Sequence, residues 1–131
     1  MKAIEKVKKK IRPDVVFTHY RNDLNIDHRI VYEAVITATR PMNSETDKEI
    51  YSFESPSSTE WNFPLSFSPN TFVDVKGTIN IKLKALAAYR GELRKLPHPR
   101  SLAGVRFNAL SWGMKIGIEY AEAFECIRCI K

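Results

Sequence analysis

The fold is decided by residues 14–40, DVVFTHYRNDLNIDHRIVYEAVITATR. The stretch opens with Asp14–Thr18, an apolar run that is β-branched and aromatic, follows Pro13 and is too short for a helix. Such a run predicts a buried strand. Apolar residues then recur with helical spacing, which predicts a helix that ends near Pro41. These helical positions are Ile30, Val31, Ala34, Val35 and Ala38.

A polar loop, His19–His28, joins the predicted strand to the predicted helix and holds two His, two Asp and two Asn. Open α/β sheets bind their ligands where strand ends meet helix starts, so this loop is the candidate site. Asp27 suits the N-cap, and a first-turn His28 should stay neutral, which is the metal-binding form of imidazole. The alternative is that Asp27 is only a cap and His28 only a surface residue.

Length and composition bound the remaining possibilities. A chain of 131 residues is one domain or part of one, and the net charge of +6 permits binding to polyanions without requiring it. Much of the positive charge lies in residues 1–12, which contain no aromatic side chain that could stack on bases. Two cysteines and no long apolar span predict a cytoplasmic protein with neither disulfide scaffold nor membrane span.

Further elements follow from periodicity. The pattern of residues 2–12 predicts an amphipathic helix, whose narrow apolar stripe needs a sheet to pack against. A long loop is predicted at residues 55–70. The stripe consists of Ile4, Val7 and Ile11. Strands are predicted at 49–54 and 71–75, and helices at 79–93, capped by Thr78, and at 102–112.

Three features outside the central loop have two interpretations each. Trp61 could stack on a sugar ring or belong to a small hydrophobic cluster, and the second is favoured. His98, held between prolines, could reach a site or be solvated. Cys126 and Cys129 form a CxxC, but no zinc or redox context surrounds them, so an incidental pair is the better interpretation.

The motifs of the chain resemble the PIG-L/LmbE-like zinc-dependent N-deacetylases, which hydrolyse the N-acetyl group of GlcNAc-type sugars. The run THYRNDLNIDHR at 18–29 resembles the second signature of that family. The resemblance continues through YSFE (51–54), SSTEW (57–61), HPRS (98–101) and YAEAFE (120–125), so it covers nearly the whole chain. It implies a Rossmann-like three-layer α/β/α fold and a strand at 123–128, where the sequence alone leaves helix and strand open.

The resemblance also implies roles for loop residues. Zinc lowers the pKa of a bound water to roughly 7, a carboxylate takes its proton, and a donor stabilises the oxyanion. By motif match His28 is the third zinc ligand and Asp27 supports the hydrogen bonding of this region. The position of the family's usual oxyanion-stabilising His is Asn25, whose amide can donate a hydrogen bond but cannot act as a general acid. Arg21, Asp23, Trp61 and His98 are the predicted substrate contacts.

The family's first signature, an AHPDDE-type stretch with two zinc ligands and the general base, does not occur in this chain. The implied domain, residues 1–131, is therefore incomplete and lacks N-terminal strands. We expect weak or absent zinc binding and no turnover by the chain alone. We also expect an exposed sheet edge that favours self-association or binding of a missing N-terminal half.

Two other classes of function stay open. One is a non-catalytic glycan-binding or interaction module that uses Arg21, Asp23, Asn25 and Trp61. The other, ranked last, is nucleic-acid binding through the basic N-terminus, and no nucleic-acid partner is predicted. An N-acetylated sugar or sugar conjugate is the partner expected under the deacetylase interpretation.

Overall fold

A computed structural model describes residues 1–131 and contains four helices and four strands, which confirms the predicted mixed α/β class. None of the helices is long and apolar enough to cross a membrane. The elements in chain order are α1 (Lys2–Ile11), β1 (Val15–His19), α2 (Ile26–Ala38), β2 (Glu49–Phe53), β3 (Thr71–Asp74), α3 (Ile79–Ala87), α4 (Leu102–Ile116) and β4 (Ala121–Cys129).

The four strands form one open sheet in the order β1-β2-β4-β3. β1 pairs with β2 in parallel, from Val15 opposite Glu49 to His19 opposite Phe53. β2 pairs with β4 in antiparallel fashion, and the register shifts between Ile50 and Tyr51. β1 therefore lies at an edge of the sheet, as expected for the strand that begins near Asp14.

The chain divides into two compact units, residues 1–70 with 124–131, and residues 71–123. The first unit contains α1, β1, α2, β2 and the end of β4. The second contains β3, α3, α4 and the start of β4.

One face of the sheet in the first unit is buried. α2 packs on β1, and α1 packs on α2. Thr18 lies opposite Ser52 across the β1–β2 ladder, and both side chains are buried, as is Ile50. Val35 and Ala38 of α2 complete this core, which matches two of the apolar helical positions in the sequence.

The opposite face of β1 is open, so the prediction of a buried strand is wrong for this face. Because side chains alternate along a strand, Phe17 points away from buried Thr18, and it is 54% exposed. Its ring contacts Tyr51 at 5.8 Å and Phe124 at 5.4 Å between centroids. The edge position of β1 and the open face leave these apolar side chains without a covering layer.

α1 forms as predicted, but its apolar stripe does not lie on the sheet. Val7 and Ile11 are exposed, whereas Lys8 is only 7% exposed. The Lys8 Nζ lies 2.6 Å from Glu45 Oε2 and 3.0 Å from Asp47 Oδ1. Asp47 Oδ2 in turn accepts from the Arg128 guanidinium at 2.8 Å. An ion-pair network, rather than apolar contact, thus joins α1 to the 42–48 loop and to β4.

The core of the second unit lies between α3 and α4. Its buried members are Ile79, Leu83, Val105 and Ala109. α3 ends at Ala87, earlier than the predicted 93, and α4 extends to Ile116, later than the predicted 112. α3 stops because the amide of Tyr89 bonds to the carbonyl of Leu86, three residues back, which closes tight turns before Gly91. Thr78 occupies the N-cap position without a side-chain cap bond.

Candidate functional site

The candidate site is the loop between β1 and α2. His19 is the last residue of β1, and α2 begins at Ile26. The N-cap is Asn25, whose side-chain oxygen accepts from the Asp27 amide at 2.9 Å. The predicted cap, Asp27, lies instead in the first turn, where its charge suits the positive helix end. Asn25 takes the cap because its backbone is still extended, with φ −71° and ψ 122°.

His28 lies in the first turn of α2, as predicted, and its side chain is 23% exposed. The ring nitrogen Nδ1 lies 3.1 Å from Asp23 Oδ1. The structure gives the other nitrogen, Nε2, no hydrogen-bond partner. A carboxylate can only accept, so a neutral His28 ring carries its proton on Nδ1 and keeps its lone pair on Nε2.

Asp23 is the centre of the loop's hydrogen bonds, and its side chain is 0% exposed. Oδ1 accepts from the backbone amide of Asn25 at 2.9 Å and from the Ser58 hydroxyl. Oδ2 accepts from the Thr59 hydroxyl at 2.7 Å. Burial alone would raise the pKa of Asp23, but the hydrogen bonds from Ser58, Thr59 and Asn25 lower it overall, so the carboxylate is ionised at neutral pH.

His19 stacks on His28. The two ring centroids are 3.9 Å apart and the planes differ by 3°. The His19 Nδ1 is buried without a hydrogen-bond partner. Burial, followed by the neighbouring His28, lowers the pKa of His19, so this ring is neutral at pH 7. Nothing in the spacing of the sequence predicted contact between these two histidines, and the structure brings them together.

The loop does not bring together the three side chains that a catalytic zinc centre needs. Across residues 1–131 no three His, Cys, Asp or Glu side chains are grouped so that they could hold a metal ion. His19 and His28 cannot share one ion in this arrangement, because lone pairs in two parallel ring planes do not converge. The donor chemistry of His28, an imidazole with Nδ1 bonded to a carboxylate, fits one position of a zinc site.

The other predicted site residues are spread more widely. Arg21 is exposed and lies 3.8 Å from Glu125, and Trp61 is 41% exposed in the 55–70 loop. Asn25 and Asp27 are exposed beside His28. Asp23, predicted as a substrate contact, has protein hydrogen-bond partners and no accessible surface. Its contact with a substrate stays a prediction. His98 belongs to the second unit, where its Nδ1 accepts from the Arg100 amide at 3.0 Å.

Ser58 and Thr59 are the site residues that sequence reasoning missed. Both lie in the SSTEW motif, in which only Trp61 was given a role, and both donate to Asp23. Thr59 also accepts from the Ser55 amide at 2.7 Å, and the Ser58 carbonyl accepts from the Leu24 amide at 3.3 Å. The only available signal was a pair of hydroxyl residues within a family-like motif, and spacing alone could not pair segments 35 residues apart.

Comparison with known proteins identifies the fold rather than a family. No family model matches the chain, and no curated protein matches it. The solved structures that resemble it include the conserved protein TT1542 from Thermus thermophilus, at a TM-score of 0.74 and 20% identity. They also include the N,N'-diacetylchitobiose deacetylase from Pyrococcus horikoshii, at a TM-score of 0.67 and 23% identity.

The similarity extends over almost all of this chain but only part of each neighbour. It covers 98% of the chain and 58% of the Thermus protein, and 97% of the chain and 50% of the Pyrococcus deacetylase. The chain thus shares a fold with a solved deacetylase and spans between half and three fifths of the length of these neighbours.

Proposed function

We propose that this chain supplies the C-terminal part of the active site of a zinc-dependent, PIG-L/LmbE-like deacetylase that acts on the N-acetyl group of GlcNAc-type sugars or conjugates. The observation that carries the proposal is the His28 imidazole. It lies where β1 ends and α2 begins, with Nδ1 on a buried carboxylate and Nε2 unpartnered. The fold shared with a diacetylchitobiose deacetylase supports the same reaction class.

In this proposal each loop residue has a limited task. Zinc, when bound, would activate a water for attack on the acetamide carbonyl. His28 would hold the metal through Nε2. The Asn25 side-chain oxygen already caps α2, which leaves its NH2 group to donate to an oxyanion. The carboxylate of Asp27 adds negative charge beside the ligand, and Arg21 and Trp61 would contact the sugar.

This chain does not hold all the ligands of a catalytic zinc. A catalytic zinc needs three protein ligands and one open position, and residues 1–131 offer one fitting histidine. The remaining ligands and the general base would come from residues of the AHPDDE type that this sequence does not contain. We therefore expect weak zinc binding and no acetate release by the chain alone.

The test is a fusion of this chain with part of a solved deacetylase. The part of the Pyrococcus deacetylase that this chain does not match is joined to it, metal is removed and zinc is added back. We expect one tightly bound zinc and zinc-dependent release of acetate from N,N'-diacetylchitobiose.

His28→Ala in the fusion should lower zinc content and reduce turnover by at least about 100-fold, because one of three ligands is lost. His98→Ala serves as the matched histidine control and should retain zinc, with any loss confined to substrate binding. Full zinc content and full turnover in His28→Ala would contradict the proposal, as would a zinc-loaded fusion that releases no acetate.

A further inference from the structure

Asp23 is a buried carboxylate that faces a partly exposed imidazole. Its side chain has no accessible surface, whereas that of His28 is 23% exposed. Four protein donors surround the two oxygens: the Asn25 amide, the hydroxyls of Ser58 and Thr59, and the His28 Nδ1. Desolvating a carboxylate is costly unless such donors compensate, and here they are all present.

We propose that Asp23 is a positioning residue that fixes His28 in the Nδ1–H tautomer and orients its ring so that Nε2 is presented to a ligand. For the identity of that ligand, zinc, the inference rests on the proposed function. The tautomer and the orientation are properties of this chain by itself.

The tautomer follows from the chemistry of the pair. An ionised carboxylate has no proton to donate, so the ring nitrogen that faces it at 3.1 Å must carry the proton whenever the ring is neutral. Free histidine in water prefers the opposite tautomer, with the proton on Nε2. The carboxylate therefore has to reverse an intrinsic preference, and this reversal can be measured.

The ring orientation has two supports. His19 lies against one face of the His28 ring at 3.9 Å with nearly parallel planes, so the ring cannot tilt toward β1 without a clash. Asp23 itself cannot rotate easily, because Ser58 and Thr59 hold its two oxygens separately. Arg29 adds a further restraint, since its guanidinium donates to the carbonyls of Asp23 at 2.6 Å and Leu24 at 2.9 Å.

Further hydrogen bonds connect the 19–28 loop, which carries His28, to the 55–62 segment. Asn62 Nδ2 donates to the Asn22 carbonyl at 2.7 Å, and the Leu24 amide donates to the Ser58 carbonyl at 3.3 Å. The SSTEW motif thus acts on His28 through Asp23, without contacting the imidazole itself. This gives Ser58 and Thr59 an indirect role in setting the ligand geometry.

The experiment determines the tautomer of His28 by long-range proton–nitrogen correlation NMR on the full chain with nitrogen-15 histidine, without zinc or substrate. The pH is set where the ring is neutral, and the three histidines are assigned by single substitutions. We expect Nδ1–H as the major form in the wild type. Asp23→Ala should invert the ratio in favour of Nε2–H, and Asp23→Asn, which keeps an acceptor oxygen, should restore Nδ1–H.

Asp14→Ala is the matched control, because this aspartate is exposed, lies outside the 19–28 loop and should leave the tautomer unchanged. If Asp23→Ala does not fold, the Ser58→Ala, Thr59→Val double variant should give a mixture of tautomers. An Nε2–H majority in the wild type would overturn the inference, as would an unchanged tautomer in either folded variant. None of these measurements depends on acetate release, so an inactive fusion would count against the proposed function alone.

Discussion

At the scale of single residues, one carboxylate joins two segments that are far apart in the sequence. Asp23 binds Ser58 and Thr59, which are 35 and 36 residues away, and also binds His28. Removing it would leave the buried Thr59 hydroxyl and the half-buried Ser58 hydroxyl without this acceptor, and an unsatisfied buried donor is more costly than a hydrogen bond is favourable.

Asp23→Ala should therefore lower the free energy of unfolding by about 3 kcal/mol, which is typical of breaking a buried charged network. Urea denaturation followed by circular dichroism measures the change. Asp27→Ala, at an exposed position in the first turn of α2, should cost no more than about 0.5 kcal/mol through the helix dipole. Equal losses in the two variants would show that Asp23 has no special structural role.

The residue scale also shows what the sequence could and could not predict. His28 in the first helical turn follows from strand, loop and helix patterns, and the structure places it there. The burial of Asp23 was not predictable, because an aspartate in a polar loop is typically solvated. The stacking of His19 on His28 was missed for a related reason: it depends on how closely the strand end approaches the helix start, which residue spacing does not determine.

At the scale of elements, the ion pairs of Lys8 with Glu45 and Asp47 join α1 to the 42–48 loop. Lys8→Met should lower the free energy of unfolding by roughly 3 kcal/mol at pH 7, because Asp47 and Glu45 would lose a buried partner. Lys9→Met, at the adjacent exposed position, is the matched control and should be neutral within about 0.5 kcal/mol. Thermal unfolding of both variants and of the wild type distinguishes anchoring of α1 by ion pairs from anchoring by apolar contacts.

The same lysine predicts a pH dependence. Burial would lower the pKa of Lys8, but hydrogen bonds and charge from Glu45 and Asp47 raise it above 10.5 overall. A raised folded-state pKa means that the stabilisation is complete below 10.5 and is lost as the pH rises through the folded-state value. The difference in stability between wild type and Lys8→Met should be constant from about pH 6 up to 10.5 and shrink above that. A difference that shrinks toward acidic pH instead would assign the effect to another group.

The end of α4 gives a prediction about packing in the second unit. A Cβ added at Gly113 would lie 2.6 Å from the backbone oxygens of Ile118 and Glu119. Gly113→Ala should cost about 1–3 kcal/mol, because backbone atoms must move. Gly91→Ala, where a Cβ would meet nothing within 4 Å, is the control and should be close to neutral. Differential scanning calorimetry of the two alanine variants compares them directly.

Elements were predicted well in type and less well in extent. All four helices and all four strands correspond to predicted segments, including β4, for which the family resemblance decided between helix and strand. The errors concern the side-chain contacts that each element makes with neighbouring segments. The apolar stripe of α1 was expected on a sheet, yet the buried contact is Lys8, because Glu45 and Asp47 come from a loop whose position the sequence does not reveal.

At the scale of the whole molecule, the open face and free edge of β1 should govern behaviour in solution. Val15 and Phe17 are exposed beside an unpaired strand edge, which is a template for association. We expect concentration-dependent self-association in sedimentation velocity, reduced by Phe17→Lys. Phe107→Lys, at a similarly exposed position on α4 in the second unit, is the control and should not change it. A monomer at every concentration would contradict this expectation.

The sequence predicted the mixed α/β fold, and the similarity to solved structures supports it. A zinc centre stays a prediction, since one fitting histidine does not define a centre of three ligands. The substrate contact of His98 also stays a prediction, because a histidine between two prolines carries no pattern that points to a partner in the loop.

The most direct test of the central claim, that the His28 Nε2 is a metal ligand, is titration of the chain with zinc while the histidine ring nitrogens are followed by NMR. We predict fast-exchange shifts of the His28 Nε2 with half-saturation above roughly 100 µM, because a single protein ligand binds zinc weakly. The shifts should vanish in His28→Ala and persist in His98→Ala. Zinc that leaves the His28 ring unchanged up to millimolar concentration, or that binds equally well to His28→Ala, would contradict the claim.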